Sequence, residues 1–407
     1  MTTAVFSNRL SSRATSIADT ALPTAARLWY LTAVAGQLVF AFAVASFYTS
    51  AVVRGNLPGW NRFMPHGYVA GDTAGNVAVA VHLFAAVLII LSGAIQLLPQ
   101  VRHRAPSLHR WNGRVYMVAA FAVSLAGLHM LWVRGSLNDL AQRLGISLNA
   151  VLIMVCAAMA LRSAIARDFK THRQWALRLF LVVSGVWFVR VGLFLSFLLF
   201  KGPVGFDPRT LQGPFITFLA YGSYLIPLAV LELYLRAEGS GATGRLAMAA
   251  ALLVLTVAMG AGIFGATMGS WVPKIKTAYD SRTSIGQALS ATIASQGIDA
   301  AVRQYHQLKA APPAAYNFDQ RELNVLGYEL VRARRFKEAV RVLELNVEAY
   351  PRSSNAYDSL GEAYMADGDK AQAIANYEIA LTLDPANRSA AQALQELGVP
   401  SERRPSK

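Results

Sequence analysis

Seven long apolar stretches settle the class of fold open to this chain. They run approximately over residues 29–53, 77–99, 111–133, 148–166, 174–200, 214–236 and 246–270. A helix of about 17 to 25 apolar residues crosses roughly 30 Å of hydrocarbon, and lipid offers an irregular backbone no hydrogen-bonding partner. Each stretch is therefore expected to be a spanning helix. Composition agrees, since 54% hydrophobic against 15% charged residues is too apolar for a soluble domain. Ala43-Val44-Ala45 has the spacing of a signal-peptide cleavage site. The polar leader before it is long, however, and Arg27, Trp29 and Tyr30 read as the interfacial anchor of a retained helix.

A net charge of +15 raises nucleic acid as a partner, so where the charge lies matters. Residues 1–273 carry 21 Lys and Arg against 7 Asp and Glu, whereas 274–407 carry 17 against 16. The excess belongs to membrane loops, and no nucleic-acid face is expected. Fourteen of the cations fall on one side: Arg9, Arg13, Arg27, Arg102, Arg104, Arg110, Arg114, Arg162, Arg167, Lys170, Arg173, Arg178, Arg236 and Arg245. Six fall on the other, namely Arg54, Arg62, Arg134, Arg143, Lys201 and Arg209. Lys and Arg favour the cytoplasm. The expectation is a cytoplasmic leader over 1–28 and a seven-helix domain over 29–271, the odd number of crossings placing the C-terminus outside. Cys156 is the only cysteine, so no intramolecular disulfide is available.

After Trp271 the sequence turns polar over VPKIKTAYDSRTS, read as a linker over 272–284, and then becomes helical with mixed charge. Leu326, Gly327, Ala339, Leu343 and Pro351 recur thirty-four residues later as Leu360, Gly361, Ala373, Tyr377 and Pro385. That period and pattern resemble the tetratricopeptide repeat, in which small residues let two antiparallel helices approach and large ones fill the gap. Leu330 and Asn346 depart from the pattern. Ala301 and Tyr305 fit the second helix of an earlier repeat, giving about two and a half repeats over 285–400, closed by a helix at 388–397. The resemblance implies an α-solenoid whose concave face holds a peptide or another protein.

Within the membrane part, LHRWNGRVY at 108–116 and THRQWALR at 171–178 place His-Arg, Trp and a further Arg ahead of two spans. Such groups form interfacial belts. The expectation beyond that is one polar niche between the third and fifth helices, with His109 and His172 side by side. His82 and His129 lie near the other face, roughly 6–8 Å down at 1.5 Å per residue. Two layers of imidazoles are what a transmembrane b-type haem protein needs. Arg190, some ten residues inside the fifth span, is costly in lipid and demands a polar partner: a ligand carboxylate or phosphate, a quinone oxygen, or carbonyls at a helix break. His82, His109, His172 and Arg190 are the candidate cofactor-binding residues, with His129 as a further candidate. His82, Gly93 and Gln96 share one stripe, where glycine leaves room for a flat cofactor or a closely packed helix.

The run from His82 through Gln96 to HRWNGRVY, followed by THRQWALR and a later Arg, resembles a bacterial family of predicted membrane proteins, a domain of unknown function, over about residues 77–195. On that pattern fall His82, Gln96, His109, Arg110, Gly113, Tyr116, His172, Arg173, Trp175, Arg178 and Arg190, while His129 stands outside it. The family implies no reaction; it fits a bacterial inner membrane.

The chain is thus read as all-α, a polytopic seven-helix membrane bundle followed by an α-solenoid of tetratricopeptide repeats. Phosphate-cradling glycine loops, cysteine metal sites, HExxH and GxSxG are missing, so no catalytic residue and no metal is assigned. The leading functional reading is a membrane platform whose extracytoplasmic repeats bind a protein or peptide. The alternative is a quinone-linked electron-transfer protein carrying haem b on the membrane histidines.

Overall fold

The computed structural model describes residues 2–64, 67–135, 139–206, 212–310 and 315–399, with side chains from Thr15 onward. Two compact units divide the chain, Met1–Tyr279 and Asp280–Lys407. The first is helical: α1 (Thr2–Val53), α2 (Thr73–Gln96), α3 (Pro99–Arg104), α4 (Pro106–Trp132), α5 (Leu140–Ile165), α6 (Phe169–Val183), α7 (Gly185–Phe200), α8 (Pro214–Glu238), α9 (Ala242–Ala266) and α10 (Val272–Tyr279). Carboxylates start three of these helices, Asp72, Asp139 and Asp168 each accepting a backbone N–H in the first turn of α2, α5 and α6. This satisfies donors that a helix start leaves open.

Among the described residues six helices are long and apolar enough to cross a membrane, and α6 with α7, bent by 53° where they meet, counts as a seventh crossing only if the pair is one span. Large apolar side chains such as Val118, Leu125, Val254, Val257 and Phe264 are exposed along these helices. Water would penalise such a surface, whereas lipid is its natural solvent.

Three sequence expectations need correcting. The leader over 1–28 is no separate segment, because α1 runs unbroken through it. Leu22 and Ala25 pack against Met248, Ala249 and Leu252 of α9, and Asp19 pairs with Arg245. The polar linker is helical up to Tyr279, since a π-helical turn at Thr267–Trp271 leads from α9 into α10. There Ala278 is buried and its carbonyl accepts from Arg54. The fifth span, read as one helix over 174–200, breaks at Ser184. Its hydroxyl donates to Phe180 O at 2.7 Å and accepts from the buried Gln37 amide at 2.9 Å. A polar side chain inserted at a break is a recognised cause of a helix kink.

The second unit holds a short parallel pair, β1 (Thr283–Ser284) with β2 (Tyr316–Asn317), and helices α11 (Ile285–Gln296), α12 (Ile298–Ala310), α13 (Gln320–Arg332), α14 (Phe336–Ala349), α15 (Ser354–Asp367), α16 (Lys370–Leu383) and α17 (Arg388–Glu396). Helices pair in sequence, α11 with α12, α13 with α14 and α15 with α16. Ala301 and Tyr305 of α12 are buried, and α11 precedes α12 as the first helix of its pair. Gly327 abuts Leu343, and Gly361 abuts Tyr377.

Candidate functional site

The stripe of α2 that carries His82, Gly93 and Gln96 is spent on packing against α4. A Cβ on Gly93 would stand 3.1 Å from the Tyr116 ring, and one on Gly113 would stand 2.9 Å from the Gln96 amide nitrogen. His82 Nδ1 lies 3.1 Å from Val123 O. A carbonyl only accepts, so the Nδ1–H donates and Nε2 keeps its lone pair. His172 repeats the device, its Nδ1 2.8 Å from Ala160 O on α5.

His109 behaves differently. Asn112 Nδ2 donates to Gln96 Oε1 at 2.8 Å and to Ser92 O at 2.8 Å, and the Gln96 amide nitrogen lies 3.4 Å from His109 Nε2. Such a chain makes Nε2 the acceptor and places the imidazole proton on Nδ1, which is enclosed without a hydrogen-bond partner. The Tyr116 hydroxyl, on the same helix two turns on, is enclosed and unpartnered as well. Tyr30 closes this end of the bundle by donating to Ala94 O at 2.9 Å. His109 and His172 lie within electrostatic reach of each other, yet one is held by α2 and the other by α5.

Both entry motifs repeat one local device, an arginine over the face of the tryptophan three residues before it. Arg114 lies 4.6 Å from the Trp111 ring and Arg178 4.8 Å from Trp175. This spacing puts the two side chains on one helix face and allows a cation–π contact. The second motif is also tied to α8, Arg173 bonding both oxygens of Glu238 and Arg178 reaching Glu232 at 2.7 Å. Between the membrane helices, Asp168 is exposed and its carboxyl is held below the usual carboxylate range by the hydrogen bonds of Thr171.

Toward the opposite end, Arg190 donates to Val186 O at 2.9 Å and its guanidinium lies 5.0 Å from the Phe40 ring. Tyr48, His82 and Lys274 all come within its electrostatic reach. His129 does not join them. Gly127 faces His82, a Cβ there standing 3.4 Å from the imidazole, and two residues further is about 200° round the helix. The outer pair of haem ligands expected from the sequence therefore does not converge, because depth along an axis says nothing about direction around it.

The sequence did not announce the partners in three polar connections: Gln37 with Ser184, Asn112 with Gln96, and Arg134 with Asp72 and Asn76. Each joins residues distant in sequence. Only intramembrane polarity could have flagged Gln37.

A bundle of this kind, apolar outside and polar at selected depths inside, is that of a multi-pass helical membrane protein. Residues 79–234, which carry the entry motifs and Arg190, match the model of a family described as predicted membrane protein (DUF2306). No curated protein and no solved structure matches the chain.

Proposed function

We propose that the chain is a membrane-anchored interaction platform, in which a tetratricopeptide-repeat solenoid over about 285–400 is displayed on the extracytoplasmic side of a bacterial inner membrane. The observation that carries the reading is the repetition of one interhelical contact at a thirty-four-residue spacing, Gly327 on Leu343 and Gly361 on Tyr377. Support comes also from a polar ladder joining the first helices of successive pairs. Asn324 donates to Asn355 at 2.8 Å, Gln320 to Ser353 at 2.8 Å and Tyr328 to Ser359 at 3.1 Å. Stacked helix pairs held in this way leave a continuous face on which an extended segment can lie. The cation asymmetry of the loops supports the orientation, although Arg9, Arg13 and Arg209 lie outside the described side chains.

The electron-transfer alternative needs two imidazoles opposed across one cleft. His82 is turned to Val123 and Gly127, His109 to Gln96 and His172 to Ala160, so none of the three is free to swing without giving up a contact. The platform reading is the stronger one.

The full chain in its own membrane tests it. Protease added to spheroplasts is expected to remove the C-terminal unit, and tagged full-length protein solubilised after cross-linking is expected to bring down one defined protein. A tail that resists digestion, or recovery of nothing but the chain itself, overturns the proposal.

A further inference from the structure

The outer half of the membrane unit gathers cations without an anion. Lys274 on α10, His82 on α2 and Tyr48 on α1 lie within electrostatic reach of Arg190 on α7, beside a frame of aromatic rings. Phe40 stands between Arg190, 5.0 Å from its centroid, and Trp271, whose ring is 5.5 Å away. Lys274 Nζ lies 4.6 Å from the Phe63 ring, which meets Phe47 at 4.7 Å, and Phe47 in turn meets Tyr48 at 5.0 Å. Behind this frame the indole N–H groups of Trp187 and Trp271, residues 2% and 0% exposed, are enclosed without a partner.

Every described carboxylate of the unit is engaged elsewhere. Asp19 pairs with Arg245, Asp72 with Arg134, Glu232 with Arg178 and Glu238 with Arg173, while Asp139 and Asp168 cap helices. Asp207 lies outside the described residues. Lys274 has Ser270 Oγ at 2.9 Å and Arg190 has one carbonyl, both neutral acceptors. None of the Arg190 nitrogens is both enclosed and unpartnered, so the N–H groups not spent on Val186 remain reachable from the helix surface. Two cations in an apolar setting with nothing negative beside them mark a place for a negative group from outside the chain.

We propose that Arg190 and Lys274, framed by His82, Tyr48 and the surrounding aromatic rings, form a binding site for an oxyanion, the phosphate or carboxylate head of an apolar molecule. A charged head fits the two cations, and an apolar body fits the exposed apolar side chains of the same helices, such as Phe42 on α1 and Val186 on α7. The site is independent of the repeat unit and of its orientation. A guanidinium binds such a head through paired N–H groups, and an ammonium adds a point charge.

The experiment uses the full chain in nanodiscs of neutral phosphatidylcholine, with thermal unfolding followed by tryptophan fluorescence. Adding an anionic phospholipid, phosphatidylglycerol, is expected to raise the midpoint by several degrees, because a ligand that binds only the folded state stabilises it. Arg190→Gln and Lys274→Gln should each lose most of that rise, and Arg110→Gln, on the exposed entry motif, should keep it. A rise with inorganic phosphate in neutral discs assigns the same chemistry to a free ion instead of a lipid. Should Arg190→Gln fail to fold, Lys274→Gln with native mass spectrometry of the bound species carries the test. No rise with either oxyanion, an equal rise in the Arg190 and Lys274 variants, an equal loss in Arg110→Gln, or a rise only with a neutral quinone overturns the proposal.

Discussion

On α13, burial disfavours the charged form of Glu329 and pushes its pKa above the ordinary value, against the opposing pull of Arg332. The consequence for stability has a definite sign. A carboxyl whose pKa is raised by folding favours the folded state below its unfolded value, and that contribution is lost as pH rises through the folded value. At neutral pH Glu329 is therefore a cost, and Glu329→Gln should move the urea midpoint of the C-terminal unit upward. The advantage should shrink as pH falls toward 4.5, the ordinary value, where the native carboxyl carries its own proton. Circular dichroism at two pH values measures both. A variant less stable than the parent at pH 7 would show that the attraction to Arg332 outweighs desolvation.

At the scale of elements, close approach of paired helices decides what the second unit tolerates. A Cβ on Gly361 would stand 2.8 Å from the Tyr377 ring, which is fully buried and has nowhere to retreat. Overpacking of this kind costs about 1–3 kcal/mol. Gly361→Val should lower the urea midpoint of the unit accordingly, and an unchanged midpoint would mean that α15 and α16 separate easily. The glycines of these pairs were legible because the same residue types return at a fixed spacing. The break in the fifth span was not, since Ser184 and Gly185 sit inside a continuous apolar run and their partner, Gln37, is 147 residues away. Apolar runs announce a crossing but leave its straightness to contacts that no local pattern records. Likewise the helical spacing of His82 and Gln96 identified a working face, while its use for packing against α4 depended on Gly113, Tyr116 and Gly127 across the interface.

For the whole molecule, the two units are built on different solvents, and this separates how they should come apart. The membrane unit buries little of each helix and turns apolar side chains outward, so in a detergent micelle its exposed surface is shielded from denaturant. The C-terminal unit has its own apolar core, with Leu289, Leu323, Leu343 and Leu394 fully buried and charged residues on its water-facing sides. Urea acts in proportion to the surface that unfolding opens to water. All seven tryptophans, from Trp29 to Trp271, lie in the first unit, and so tryptophan emission reports that unit alone, whereas far-ultraviolet circular dichroism reports both. Titrating the detergent-solubilised chain with urea should therefore give an early loss of part of the helical signal with tryptophan emission unchanged. Non-coincident probes are the standard sign that a chain is not unfolding in one step. If ellipticity and tryptophan emission fall together, the membrane helices and the C-terminal unit form one cooperative structure, and the division at Tyr279 is one of geometry without independent stability.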